Sequence, residues 1–111
     1  MTDCIFCAIA AGEIPAQLVA STETVVAFRD IAPQAPLHVV VAPRLHAPNV
    51  AALAAEAPQV LADMAQVAQQ IADAESGGEF RWIFNTGAGA GQTVFHVHGH
   101  VMFGGTLGWD A

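Results

Sequence analysis

The hydrophobic pattern of this chain switches between a strand period and a helix period. Residues 4–11 can make one short helical stretch, stopped by Gly12. Residues 17–20 and 24–29 read as two short strands, with Val25, Val26 and Phe28 giving the second its β character. Residues 30–36 contain Pro33 and Pro36 and form a loop; residues 37–41 make a third strand, ended by Pro43. Residues 49–75 are helical in composition, with Leu53, Val60, Leu61, Met64, Val67 and Ile71 along one stripe. Pro58 suits the first turn of the longer helix, after a brief helical piece, and Gly77 and Gly78 end it. Residues 80–85 are a fourth strand, residues 86–91 a glycine-rich loop, and residues 94–103 the last strand. Strands joined by short turns around one main helix predict a single α+β domain over residues 1–111, with a five-stranded antiparallel sheet.

The last strand carries the chemistry. His96, His98 and His100 recur at every second residue, so a continuous strand would line them along one face. Phe95, Val97, Val101 and Phe103 would then face a core. Gly99 within that strand marks a bulge or lets another backbone or a ligand approach closely. His96 and His100 would lie roughly 13 Å apart along a strand, too far for both to reach one ion through bonds of about 2.0–2.1 Å. A purification tag does not fit histidines that alternate with apolar residues, and three core histidines would be a costly way to pack. The pattern reads as a reaction surface.

Composition narrows the partners. The chain is 54% hydrophobic and 12% charged, with a formal net charge of −7. It has no lysine, and Arg29, Arg44 and Arg81 are its only permanent cations. Such a surface disfavours nucleic acid and anionic membranes. Any phosphate must be held largely by neutral donors: backbone N–H, Asn, Thr or imidazole. No uninterrupted apolar run reaches membrane-spanning length, and the start of the chain lacks the basic residues of a secretion signal, so a cytoplasmic location is expected. Low charge on so small a domain suggests apolar surface covered by a second copy.

Three segments carry a resemblance. His96-Val97-His98-Gly99-His100-Val101-Met102, preceded by Asn85, a glycine loop and Gln92-Thr93-Val94-Phe95, resembles the histidine triad (HIT) family in its Hint-like nucleotide-binding branch. The stretch from Phe28 to His46 and the opening CIFCAIAAGEIPA are similar to that branch too. The resemblance implies a homodimer whose sheet continues across two subunits. It implies hydrolysis or transfer of a nucleoside monophosphate from phosphoramidates or from acyl and dinucleotide phosphates, through a nucleotidyl-histidine intermediate. A purine nucleotide such as AMP or GMP is the expected partner.

By that resemblance His98 is the nucleophile. A neutral imidazole that attacks phosphorus divides one hard step into two easier ones. His100 would donate to a phosphate oxygen, with Thr93, Asn85 and amides of residues 87–91 adding neutral donors. Turn and strand-end bonding is the alternative for Thr93 and Asn85. Gln92 belongs to the same approach to the triad. Asp30 matches the family's ribose position, although an Asx turn opening the proline loop would also use it. Phe6, Ile9, Phe28, Ile31 and Val40 match the base pocket, or are plain core. Arg29 stands where the branch often has His, which leaves base preference open. His38 would orient the triad by hydrogen bonding, or be a satisfied core histidine.

Cys4 and Cys7, the only cysteines, sit at C-x-x-C spacing. Relatives place zinc between such a pair and two histidines, here His46 and His96 by position. Four protein ligands would make the site closed and structural. His96 would then be a ligand and not a catalyst. A redox pair, or two ordinary thiols, are the other readings. Departures from the family are Gly99 in place of a larger apolar residue, Arg44 where more basic residues are usual, and an end at Trp109-Asp110-Ala111 without a longer tail. Trp109 could pack across a dimer. The other activities compatible with the sequence are dinucleoside polyphosphate hydrolysis and a nucleotide-binding scaffold with incidental hydrolysis.

Overall fold

Two strands that are buried on both faces organise the molecule. In the computed structural model, which describes residues 4–108, they are β2 (Val25–Arg29) and β3 (Leu37–Pro43), and every residue of β3 is buried. This explains their near-continuous apolar sequences, VVAF and VVVA. They pair antiparallel, with Phe28 opposite Val40. β1 (Leu18–Ser21) flanks β2, and β5 (Gly99–Phe103) flanks β3. β4 (Arg81–Phe84) closes the far edge, giving the order β1-β2-β3-β5-β4 with all neighbours antiparallel.

Each face has its own core. On one side α2 (Val50–Glu56) and α3 (Pro58–Glu75) bury Leu53, Met64, Val67, Ala68 and Ile71 against Val25, Ala27, Val39, Val41 and Val101. Asn49 caps α2 by accepting from the Ala52 amide at 2.9 Å, and Pro58 opens α3 within its first turn. On the other side α1 (Ile5–Ala10) lays Phe6 over Val26, Phe28, Val40 and Ala42. No helix among the described residues is long and apolar enough to cross a membrane.

The last strand is shorter than its alternating pattern predicts. Its ladder begins at Gly99, opposite Val41, so His96 and His98 precede it. Two residues further along β3 stands Pro43, which has no N–H to give a ladder. The Val97 amide instead donates to the Ala47 carbonyl at 2.7 Å. Phe95 therefore does not enter the core; it is 53% exposed, and Phe103 lies at the strand's open end, 36% exposed. Val97 and Val101 are buried as expected. Gly99 marks a close approach: a Cβ there would collide with Trp82 Nε1 and lie 2.8 Å from Phe84 Cζ. Trp109 and the two residues after it lie outside the described residues.

Candidate active site and metal cluster

The sheet face under α1 holds a cavity of about 500 Å³. Alternation along the strands puts His38, Val40 and Ala42 of β3 on this face, with His100 of β5 beside them. In register, His38 lies opposite Met102 and Val40 opposite His100, so the two histidines are diagonal neighbours. His38 Nε2 and His100 Nδ1 are 2.9 Å apart. Asp30 follows β2, and its amide donates to the His38 carbonyl at 3.1 Å. Its Oδ2 lies 3.3 Å from His38 Nε2 and 4.0 Å from His100 Nδ1. Its Oδ1 accepts from the Ala32 amide at 2.8 Å, so the Asx turn forms while the residue also lines the cavity.

His98 is buried just before β5. Its Nδ1–H donates to the His96 carbonyl at 2.8 Å, leaving the Nε2 lone pair as the ring's reactive position. The edge of the Phe6–His98 contact, with centroids 4.8 Å apart, fixes the ring from the α1 side. Burial pushes the His98 pKa below its ordinary value, against the opposing pull of the His96 carbonyl and Asp30. Burial, then the charges of His98 and His38, push His100 down to about 4. His100 is therefore uncharged near neutral pH.

Of the residues expected to contact nucleotide, Phe6, Ile9, Phe28, Asp30, Ile31, Val40, Thr93, His98 and His100 line the cavity. Asn85 and Gln92 do not. Gln92 is buried and serves the backbone: it accepts from the Gly87 amide at 2.9 Å and donates to the Pro48 and Val94 carbonyls at 2.7 and 3.0 Å. The glycine loop also spends amides on itself, Ala90 and Gln92 donating to Gly87 and Gly91 to Ala88. Within residues 87–91, the amides of Gly87, Ala90 and Gly91 are thus spent inside the loop. Arg29 borders the cavity, but its guanidinium pairs with both oxygens of Glu75 on α3, each at 2.8 Å. Arg44 is likewise committed, donating to the carbonyls of Ala10 and Thr22. Sequence reading missed Ile5, Ile14, Pro15, Ala16, Gln17 and Val94 in the cavity wall; no periodicity distinguishes such rim residues from ordinary surface.

Cys4, Cys7, His46 and His96 converge on the far side of His98, with their ligand atoms within 4.8 Å of one another. The His96 Nδ1 lies 3.2 Å from Cys4 Sγ, 3.4 Å from Cys7 Sγ and 3.2 Å from His46 Nδ1. Tetrahedral zinc, with bonds of about 2.0–2.3 Å, would set its ligands roughly 3.3–3.8 Å apart, so the set matches that ion closely. The His96 Nε2–H donates to the Pro43 carbonyl at 2.7 Å, which leaves Nδ1 its lone pair for a metal. These side chains fit a structural divalent ion.

The family described as "Scavenger mRNA decapping enzyme C-term binding" matches residues 3–106. Protein HitA of Neisseria gonorrhoeae is 45% identical over 103 residues, covering 92% of this chain and 96% of that protein. The purine nucleoside phosphoramidase of Escherichia coli is 42% identical over 106 residues, covering 94% of this chain and 89% of that enzyme. Among solved structures, a HIT family hydrolase from Legionella pneumophila superposes with a TM-score of 0.90 at 38% identity, covering 96% of this chain and 97% of its own. A HIT family hydrolase from Clostridium thermocellum gives 0.91 at 36% identity, covering 99% and 97%.

Proposed function

This chain belongs to the histidine triad family and is a hydrolase, and we propose that it cleaves purine nucleoside phosphoramidates through a nucleotidyl-His98 intermediate. The observation that carries the reading is the 2.8 Å bond from His98 Nδ1–H to the His96 carbonyl. It turns the other ring nitrogen into a nucleophile and gives the imidazolium formed on attack an acceptor. His98 Nε2 bonds to phosphorus as the P–N bond of the substrate breaks and the amine leaves. Water then displaces the imidazole, releasing the nucleoside monophosphate. Overall, one water supplies hydrogen to the amine and hydroxyl to phosphorus, and His98 returns unchanged.

The apolar wall of Phe6, Ile9, Phe28, Ile31 and Val40 would hold the base, Asp30 Oδ2 would accept from ribose hydroxyls, and Thr93 and His100 would donate to phosphate oxygens. Cys4, Cys7, His46 and His96 would hold zinc. Such an ion would tie α1 to the segment before β5 and take no part in the reaction. A reducing compartment such as the cytoplasm suits the cysteines in that role. The chain would work as a homodimer joined at the β4 edge of the sheet, where every residue of the strand remains half-buried.

The test is a turnover comparison of adenosine phosphoramidate with a diadenosine polyphosphate, for the natural chain and for His98→Ala. The expected result is faster turnover of the phosphoramidate, abolished in the variant while AMP still binds. Undiminished turnover by His98→Ala would overturn the nucleophile; preference for the dinucleotide would overturn the substrate class.

A further inference from the structure

We propose that the backbone amide of Gln34 sets the direction of a hydrogen-bond chain through His38, so that His100 always presents a proton, never a lone pair, to the cavity. The Gln34 N–H donates to His38 Nδ1 at 2.9 Å. An amide nitrogen in a peptide can only donate, so His38 Nδ1 holds a lone pair. In the neutral ring the proton is then on Nε2. That nitrogen lies 2.9 Å from His100 Nδ1 and 3.3 Å from Asp30 Oδ2. Whichever acceptor takes more of the bond, two N–H groups cannot face each other at the shorter distance. His100 Nδ1 must be the lone-pair nitrogen, and its proton must be on Nε2.

The direction is imposed from outside the triad. Gln34 stands between Pro33 and Pro36, whose ring-fixed backbone angles restrict the loop. The donor is main chain, so no side-chain rotation can reverse it. The loop after β2 thus acts on a histidine it need not touch, and Gln34 is a positioning residue.

The fixed proton on His38 also excludes a metal at this cluster. Asp30, His38 and His100 bring ligand atoms within 4.8 Å of one another, as the cysteine cluster does. A metal needs a nitrogen lone pair. His96 keeps one at Nδ1 because its proton goes to the Pro43 carbonyl. His38 has spent its own on the Gln34 amide and turns a proton towards the other two groups. The two clusters look alike in distance and are opposite in polarity.

The consequence for turnover rests on the hydrolytic reading above, whereas the tautomers do not. They are read by long-range ¹H–¹⁵N correlation of the histidine rings in ¹⁵N-labelled, zinc-loaded natural protein at pH 8. The expected spectrum has His38 and His100 each as a single Nε2–H tautomer. Either ring as Nδ1–H overturns the proposal, as does a second zinc that perturbs both rings. Gln34→Pro removes the amide proton. It is expected to leave His38 and His100 as tautomer mixtures and to lower kcat several-fold with KM kept. Unchanged tautomers and kcat in that variant overturn it, and if the variant does not fold, the natural protein's spectrum decides alone. Absence of turnover on any nucleotide, with both tautomers as stated, would sink the hydrolytic reading and leave this one intact.

Discussion

His96 supports His98 through its backbone while its side chain faces the other way. Its carbonyl accepts the His98 Nδ1–H at 2.8 Å, and its ring lies 3.2 Å from Cys4 Sγ. One residue therefore links the cysteine cluster to the cavity. The link is short and made of main chain, so disturbing the cluster should be felt at His98.

Metal removal is the direct check. Purified protein is expected to carry about one zinc per chain, and Cys7→Ala to lose it. Loss of the ion unties α1 from the triad segment. Even a cost of about 2 kcal/mol would lower Tm by roughly 8 °C or more at this chain size. Calorimetry with and without a strong chelator reads this, and an unchanged Tm would show that the four ligands do not share an ion.

Gln92 is expected to matter for stability more than for binding. Gln92→Ala would strip partners from the Gly87 amide and from the Pro48 and Val94 carbonyls. Leaving such groups unpaired costs about 1–3 kcal/mol apiece when no water replaces the partner. Urea unfolding should shift accordingly while AMP affinity, measured by calorimetry, changes little. A large affinity loss in a protein of natural stability would instead put Gln92 in contact with the nucleotide.

Gly99 is held small by its neighbours. Gly99→Ala would drive a methyl group into Trp82 and to 2.8 Å from Phe84 Cζ. Overpacking of this kind costs about 1–3 kcal/mol. Trp82→Phe added to Gly99→Ala should recover part of the loss. Thermal unfolding of both variants separates this from a requirement of catalysis, because kcat should follow stability and not fall on its own.

The pH dependence follows from neutral histidines. His100 is held at about 4 and His98 below its usual value, both chiefly by burial. Activity is therefore expected to persist at pH 6.5 and to decline only below it. Stability follows the same sign: the unfolded chain binds protons near the reference pKa of about 6.5, and the folded chain resists until lower pH. Stability should be level above pH 7 and fall progressively towards pH 4. Unfolding midpoints across that range test it, and a midpoint that rises on acidification would contradict the buried, neutral assignment.

Much of the fold was legible from the chain. The stripe from Leu53 to Ile71 became the face of α3 and its neighbour α2, with Pro58 opening the longer helix as expected. The strand boundaries in the first half differ only at their ends. The triad segment was misread because alternation in sequence persists where pairing does not. His96, Val97 and His98 keep a strand-like rhythm, but Pro43 offers them no amide, and the chain turns to Ala47 instead. Gln92 was grouped with the nucleotide contacts because the family resemblance runs through Gln92 and Thr93 on the approach to the triad. Adjacency does not say which way a side chain points, and Gln92 points into the loop.

The sequence by itself determined the class of fold, the membership of the family and the set of residues able to do chemistry, because side-chain type and spacing are local properties. Only the tertiary structure decided which nitrogen of each imidazole carries the proton. Whether an imidazole nitrogen holds a proton or a lone pair depends on what faces the other nitrogen. Those partners, the carbonyls of Pro43 and His96 and the amide of Gln34, are main-chain groups that carry no mark in the sequence.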